Sequence, residues 1–374
     1  MNKPPTLLHT LNTTISGMPS FPLPLSDEEI KQKYQVENIY HMHMNESAYG
    51  ASPSVIKVLQ AESNLVGYYP VMRDDPLREK LVETIGRNLS TDHFFTGCSG
   101  YETLELLFRA LLRPNDEVIV MHPTFGIYDR LTMLNGGTVR NVPLADHTFA
   151  PDIDAVLKAV NEKTRIVLVC NPNNPTGTVM PKSQMDKLVH NMPDHVLIVA
   201  DEVYFHFVTD PDYPDSIQYV LDGYNVAIIH TFSKGYGMAG MRIGYGITLP
   251  TLATYVHKFY RGFHLNRLQI AAGITALDDP AQLQKNIDAA VNGRDYIYTQ
   301  LDKLDLHYWR SQTNFILIKC PCPAADISQK LLERGVIVRT LHGDYANYLR
   351  VTVITPEANQ AFATGLEIAL QELR

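Results

Sequence analysis

"HTFSKGYGMAGMRIGYG" spans residues 230 to 246, and two chemistries can be read from it. Gly235, Gly237 and Gly240 have the G-x-G-x-x-G spacing of a dinucleotide-binding turn. Ser233, Lys234 and Arg242 place an amine beside a hydroxyl, with a guanidinium further along. The dinucleotide reading requires a strand before the glycines, a helix opening within them, and an acidic residue about 20 positions on for the ribose. "VAIIHT" (226–231) supplies the strand. The other two conditions fail. "MRIGYGI" follows Gly240 directly and reads as another strand, and "YVHKFYRG" (255–262) contains no carboxylate. The glycines instead suit a tight link between two strands.

Lys234 then lies just past the C-terminal end of an apolar strand, the edge where ligands bind in open α/β sheets. A lysine there can form a Schiff base with an aldehyde cofactor, and Ser233 with Arg242 can hold an anion. An aldehyde and a phosphate on one molecule describe pyridoxal phosphate. On this stretch alone, a surface lysine beside a salt-bridged arginine explains the residues equally well.

The neighbouring segments decide between them. "EVIVM" (117–121), "RIVLVC" (165–170), "VLIVAD" (196–201), "VAIIHT" and "RIGYGI" (242–247) are short apolar runs separated by helix-length polar stretches such as "PKSQMDKLVHNM". Continuous apolarity marks strands covered on both faces, and the alternation predicts an α/β layered domain with a mostly parallel sheet. "DEVY" (201–204) puts Asp201 at a strand end with Tyr204 beyond it. A carboxylate opposite a pyridine nitrogen keeps that nitrogen protonated and makes the ring an electron sink. "NPNNPTG" (171–177) forces a turn at the next strand end, and "GCSGYETLELL" (97–107) is a Gly/Ser loop opening a helix, suited to cradle a phosphate. Each piece alone is a turn or a cap; the four in this order make a combined signal.

The remaining composition excludes other classes. The chain has 374 residues, 45% hydrophobic and 19% charged, with a formal net charge of -8. Nucleic acid is a poor partner for so acidic a chain, and no run of about 18 apolar residues offers a membrane span. "MNKPPTLLHTLNTT" lacks the apolar region of a secretory leader, so a cytoplasmic location is expected. Four cysteines make no disulfide framework; Cys320 and Cys322 in "KCPCP" read as free thiols. His41 and His43 in "HMHM" read as alternating strand residues rather than a metal pair, and Trp309 as packing.

With these motifs in order, the sequence resembles a fold-type I, class I/II aminotransferase, closest to the histidinol-phosphate aminotransferase family. "NESAYGASPSV", "YYPVMRDDPLREKL", "PTFGIY", "NPNNPTG", "DEVYFHF", "FSKGYGMAGMRIGY", "GVIVR" and "YLRVTV" follow in family order. The resemblance implies pyridoxal 5'-phosphate as cofactor. Lys234 would carry it and shuttle the proton, Asp201 would face the ring nitrogen, and Asn174 and Tyr204 would contact the phenolic oxygen. Ser99, Gly100, Ser233 and Arg242 would hold the phosphate, with Phe125 stacked on the ring. Tyr69 would reach the phosphate of a partner subunit, which implies a homodimer. Arg350 would grip the donor's carboxylate or its equivalent, Arg339 a distal phosphate, and Tyr49 would stand at the substrate entrance. No metal is implied. The reaction would move an amino group from histidinol phosphate, or an aromatic or other amino acid, to a 2-oxo acid such as 2-oxoglutarate. A lyase or decarboxylase on the same fold is the alternative.

The expected organisation is an N-terminal segment (1–60) packed with the small domain, a large cofactor domain (61–275) with a sheet of seven-stranded type in an α/β/α sandwich, and a small α+β domain (276–374). Three departures from the family pattern touch the pocket: Cys98, His264 in "RGFHLNRLQ", and Ile354 after the last strand.

Overall fold

The fold is described from a computed structural model covering residues 25–373. The amino-terminal stretch read above for a leader lies outside them. The strands run β1 (Tyr40–His41), β2 (Phe94–Gly97), β3 (Glu117–Val120), β4 (Thr138–Asn141), β5 (Thr164–Cys170), β6 (Leu197–Asp201) and β7 (Val226–Thr231). Then come β8 (Gly244–Thr248), β9 (His307–Tyr308), β10 (Phe315–Lys319), β11 (Val336–Ile337), β12 (Arg339–Thr340) and β13 (Tyr348–Thr352).

Seven of these form one sheet in the order β2-β8-β7-β6-β5-β3-β4. β8 is antiparallel to both its neighbours and the remaining pairs are parallel, so six strands share one direction. Every residue of β6 and β7 is buried, as expected of a strand with helices on both faces. Alternation splits the side chains into two apolar layers. Val167, Val169, Ile198 and Ile228 face one, and Ile166, Leu168, Val199 and Ile229 face the other. The mostly parallel seven-stranded sheet is therefore as the sequence indicates, but two of its strands are not in the reading above. β2 ("FFTG") and β4 ("TVRN") are four residues each, and β4 is a polar, exposed edge without apolar periodicity.

β12, β13, β10 and β9 make a second, antiparallel sheet. Ile316, Ile318, Leu349 and Val351 cover it against Ile327, Leu331, Phe362 and Leu366. "GVIVR" is not one strand: β11 pairs with β1, and β12 pairs with β13. The N-terminal segment divides likewise. β1 joins β11, while the helix Pro53–Glu62 packs on the helix Arg267–Leu277 beside the large sheet. That helix begins where Ser52 accepts a hydrogen bond from the Val55 amide and Pro53 occupies the first turn. Asp279 and Pro280 start the helix Pro280–Lys303 in the same way. Trp309 is buried at the seam of the two sheets, its indole N–H donating to the His147 carbonyl at 2.6 Å. His41 bonds Asp27 at 3.0 Å, and all four cysteines are free thiols.

Candidate active site

The turn between β7 and β8 carries Lys234, and its glycines are needed for close approach. Gly237 has φ +67, and a Cβ there would lie 2.2 Å from the Gly50 carbonyl oxygen. A Cβ on Gly235 would meet the His206 ring at 3.0 Å. The segment 42–50 is thereby pressed against the turn. Lys234 Nζ donates to the carbonyls of Met44 (3.1 Å) and Asn45 (2.8 Å), and Ser47 Oγ donates to the Lys234 carbonyl. Burial, with the Arg350 charge second, lowers the amine to about 7; Glu46 opposes this. Nζ lies 5.7 Å from the centroid of the Tyr204 ring.

Asp201 ends β6, two strands over from β8, and is 2% exposed. Tyr128 donates to its Oδ2 at 2.6 Å, and burial pushes the carboxyl up to about 6. Tyr128 belongs to the quoted "PTFGIY" but drew no role from sequence, because a tyrosine in the first turn of an amphipathic helix reads as core. Tyr204 is buried, and its hydroxyl accepts from Asn45 Nδ2 at 2.9 Å. Asn45 also went unread. Its amide N–H donates to Thr352 Oγ1 at 3.0 Å, and its carbonyl accepts from Lys234 and Asn314. It thus ties β13 to the lysine and the tyrosine.

The anion corner sits where β2 leads into the helix Ser99–Leu111. Gly244 permits it: a Cβ there would lie 2.5 Å from the Gly100 amide nitrogen. Ser233 Oγ accepts from Thr231 at 3.0 Å and lies 3.5 Å from an Arg242 nitrogen, which also donates to the Ala239 carbonyl. Ser99 has φ +86, a left-handed conformation that costs a non-glycine residue about 1–2 kcal/mol. Ser99→Gly is therefore expected to stabilise the cofactor-free protein by about 0.5–1 kcal/mol, after the glycine's own entropy loss. A urea midpoint that falls instead would contradict the strain.

Two of the departures have structural explanations. His264 does not face an open pocket. Its ring stacks on Tyr260 (3.8 Å between centroids), and Nε2 is 2.8 Å from Thr96 Oγ1. Thr96 in turn donates to Asp74, a carboxylate that is 2% exposed and held by Arg78. A carboxylate so buried must be surrounded by donors, and this set supplies them. Ile354 packs on the small-sheet core, its backbone N–H donating to Asn359. Cys98 donates through Sγ to the His264 carbonyl at 3.2 Å.

On the substrate side, Arg350 donates to Asn174 Oδ1 (2.5 Å) and to the His43 carbonyl (2.7 Å), and its guanidinium lies over Phe315. Phe315 meets Tyr204 edge-on. Burial lowers the Arg350 guanidinium to about 10. Arg339 stands directly opposite Arg350 in the β12–β13 register and is exposed. Phe125 is edge-on to Tyr128 at 5.8 Å, and Tyr49 is exposed beneath Lys285. The structure thus gathers Lys234, Tyr204, Arg350 and Asn174 through one network. Tyr69 stands apart, 80% exposed and stacked on Phe263.

The residues fit pyridoxal phosphate on charge grounds. Asp201 is buried with a tyrosine donor and no cation, while Lys234 and Arg242 have no carboxylate partner among the described residues. Asp201 is the buried charge of the three and requires a partner, while Lys234 is half-buried and Arg242 exposed, free to meet an anion from solvent. A ring nitrogen, an aldehyde and a phosphate on one molecule answer all three.

The model of the family described as aminotransferase class I and II matches residues 37–366. A histidinol-phosphate aminotransferase of Geobacillus sp. (strain WCH70) is 34% identical over 363 residues, covering 97% of this chain and 98% of that protein. One from Moorella thermoacetica is 35% identical over 343 residues, 91% of this chain and 87% of its own length. Among solved structures, the histidinol-phosphate aminotransferase of Sinorhizobium meliloti in complex with pyridoxal-5'-phosphate superposes with a TM-score of 0.88 at 24% identity, covering 97% of this chain and 98% of that one. The likeness in fold, the family match over most of the chain and the lysine–carboxylate–arginine arrangement agree: this protein belongs to the class I and II aminotransferase family and is an enzyme of that class.

Proposed function

We propose that the protein uses pyridoxal phosphate to move the amino group of histidinol phosphate to a 2-oxo acid such as 2-oxoglutarate. The observation that carries the donor is the Arg339–Arg350 pair. Like charges directly opposite on adjacent strands are destabilising. Among the described residues neither arginine forms an ion pair; Arg350 bonds an amide oxygen and a backbone carbonyl instead. Two guanidiniums converging from one face suit a dianion better than a carboxylate.

When bound, the cofactor supplies an aldehyde for the donor amine and a ring that takes up electron density. The chain supplies the rest. Lys234 Nζ takes the donor's α-proton and returns it, for which the amine must be neutral. Asp201 holds a positive charge at the far side of the ring, with Tyr128 fixing its orientation. Tyr204 and Asn174 present a hydroxyl and an amide toward the phenolic oxygen, and Ser99, Gly100, Ser233 and Arg242 hold the phosphate. Phe125 offers a π face. Arg350, pinned by Asn174 and the His43 carbonyl, fixes the donor's anion relative to Lys234.

The test adds donors one at a time to the loaded enzyme, without acceptor, and follows bleaching of its visible absorbance. Histidinol phosphate is expected to react fastest, and Arg339→Gln to raise its apparent KM roughly 10- to 100-fold. An aromatic or aliphatic amino acid outpacing it would overturn the donor assignment.

The pH dependence follows from Lys234. Its lowered value of about 7 makes the neutral amine dominant above that pH. Transfer of the α-proton is expected to quicken about tenfold per unit up to that region, then level off. A rate still climbing at pH 9 would show an ordinary lysine.

A further inference from the structure

Residues 263–264 touch two things that the function has not connected. The His264 carbonyl accepts from Cys98 Sγ at 3.2 Å, and Cys98 is the cap of the helix that opens the anion corner. One residue earlier, the Phe263 ring stacks on Tyr69 with 4.7 Å between centroids and 23° between planes. Phe263 sits at φ +62, so its direction is imposed by its surroundings rather than by its own preference. The His264 side of the segment is anchored. Its ring bonds Thr96 and stacks on Tyr260, whose hydroxyl accepts from the Thr96 amide at 2.6 Å. Asp74, which receives the Thr96 hydroxyl, heads the helix that follows the Tyr69 loop. Two routes therefore run from the anion corner to Tyr69, one through Phe263 and one through Asp74.

We infer that residues 263 and 264 are positioning residues that couple the two active sites of a dimer, so that cofactor in one site sets the Tyr69 offered to the other. The inference rests on the reading that Tyr69 crosses to the partner's phosphate. Phosphate held at Ser99 and Gly100 fixes the Cys98 turn. That turn holds the His264 carbonyl and with it Phe263. Phe263 fixes the ring of Tyr69, which the isolated chain leaves exposed. The partner's site then receives a tyrosine whose ring direction is held by the loaded site, and its cofactor binds more tightly. Because coupling is reciprocal, each site assists the other.

The experiment is native mass spectrometry of the full-length dimer loaded with limiting pyridoxal phosphate, counting dimers with none, one and two. In the wild type the second cofactor is expected to bind roughly fivefold more tightly than the first or better, so singly loaded dimers fall below the statistical half. Phe263→Ala is expected to bring the ratio to about one, and Cys98→Ala to lower it from the other end of the path. Independent binding in the wild type, or cooperativity undiminished in both variants, overturns the coupling. Tyr69→Ala separates this from the underlying reading. If Tyr69 crosses, that variant loses overall cofactor affinity whatever the cooperativity. Unchanged affinity in a confirmed dimer overturns the crossing itself.

Discussion

Lys234→Ala is expected to lower the rate of donor deamination by at least about four orders of magnitude and to change the visible absorbance of the bound cofactor. General acid–base groups alone contribute about 10²–10⁴-fold, and in the proposed function this lysine would also be the cofactor's covalent anchor. The fold should survive. Among the described residues Nζ bonds only two backbone carbonyls, and removing this half-buried amine leaves no carboxylate stranded. Single-turnover kinetics with the preferred donor measure it. Added small primary amines should restore part of the rate, because the missing function is an amine in a site that already positions the rest. A variant within tenfold of the parent would remove Lys234 from the chemistry.

Asp201→Asn is expected to move activity and stability in opposite directions. In the proposed function the carboxylate would face the ring nitrogen, and its loss should cost about 10²–10³-fold in rate, the scale of one misplaced electrostatic stabiliser. Without cofactor the same charge is a liability. Burial raises its folded value to about 6, above the unfolded value near 3.9. A raised acid group destabilises the fold progressively from the unfolded value upward, and fully above the folded one. Asparagine keeps an oxygen for the Tyr128 hydroxyl and removes the charge. The cofactor-free variant should therefore be about 1–3 kcal/mol more stable at pH 7.5, with the advantage gone near pH 4. Paired urea titrations at the two pH values check the sign. An equal gain at both would mean that packing, not charge, is responsible.

What could be read in advance follows a physical division. Asp201, Lys234, Asn174 and Ser99 each lie next to the end of a strand, where an apolar run stops and a polar residue becomes conspicuous. Asn45 has no such contrast. It works through its carbonyl and through Thr352, a partner 307 positions away that no local pattern indicates. Tyr128 looks like core because it is core, apart from one hydroxyl. The strands β2 and β4 are too short and, for β4, too polar to show a period. "GVIVR" is apolar throughout, yet its halves serve different sheets, because pairing partners rather than composition decide where a strand breaks. His264 drew suspicion as an odd residue beside the pocket. It bonds the threonine whose hydroxyl donates to the buried Asp74 carboxylate.

The stitching of residues 42–50 to β13 has a consequence for the order of synthesis. The Thr352 amide donates to the Met42 carbonyl, and Arg350 to the His43 carbonyl. The lysine's two acceptors lie in the same early segment. A chain emerging from the ribosome makes that segment first and its clasp almost last, so contacts of the longest range close the site. The large sheet can assemble while the segment waits. A nascent chain that stops short of β13 holds its lysine without Arg350, the second contributor after burial to its lowering, and without the guanidinium proposed to grip the donor. Catalytic competence arrives as a single late event, and an unfinished chain has no means of starting the chemistry early.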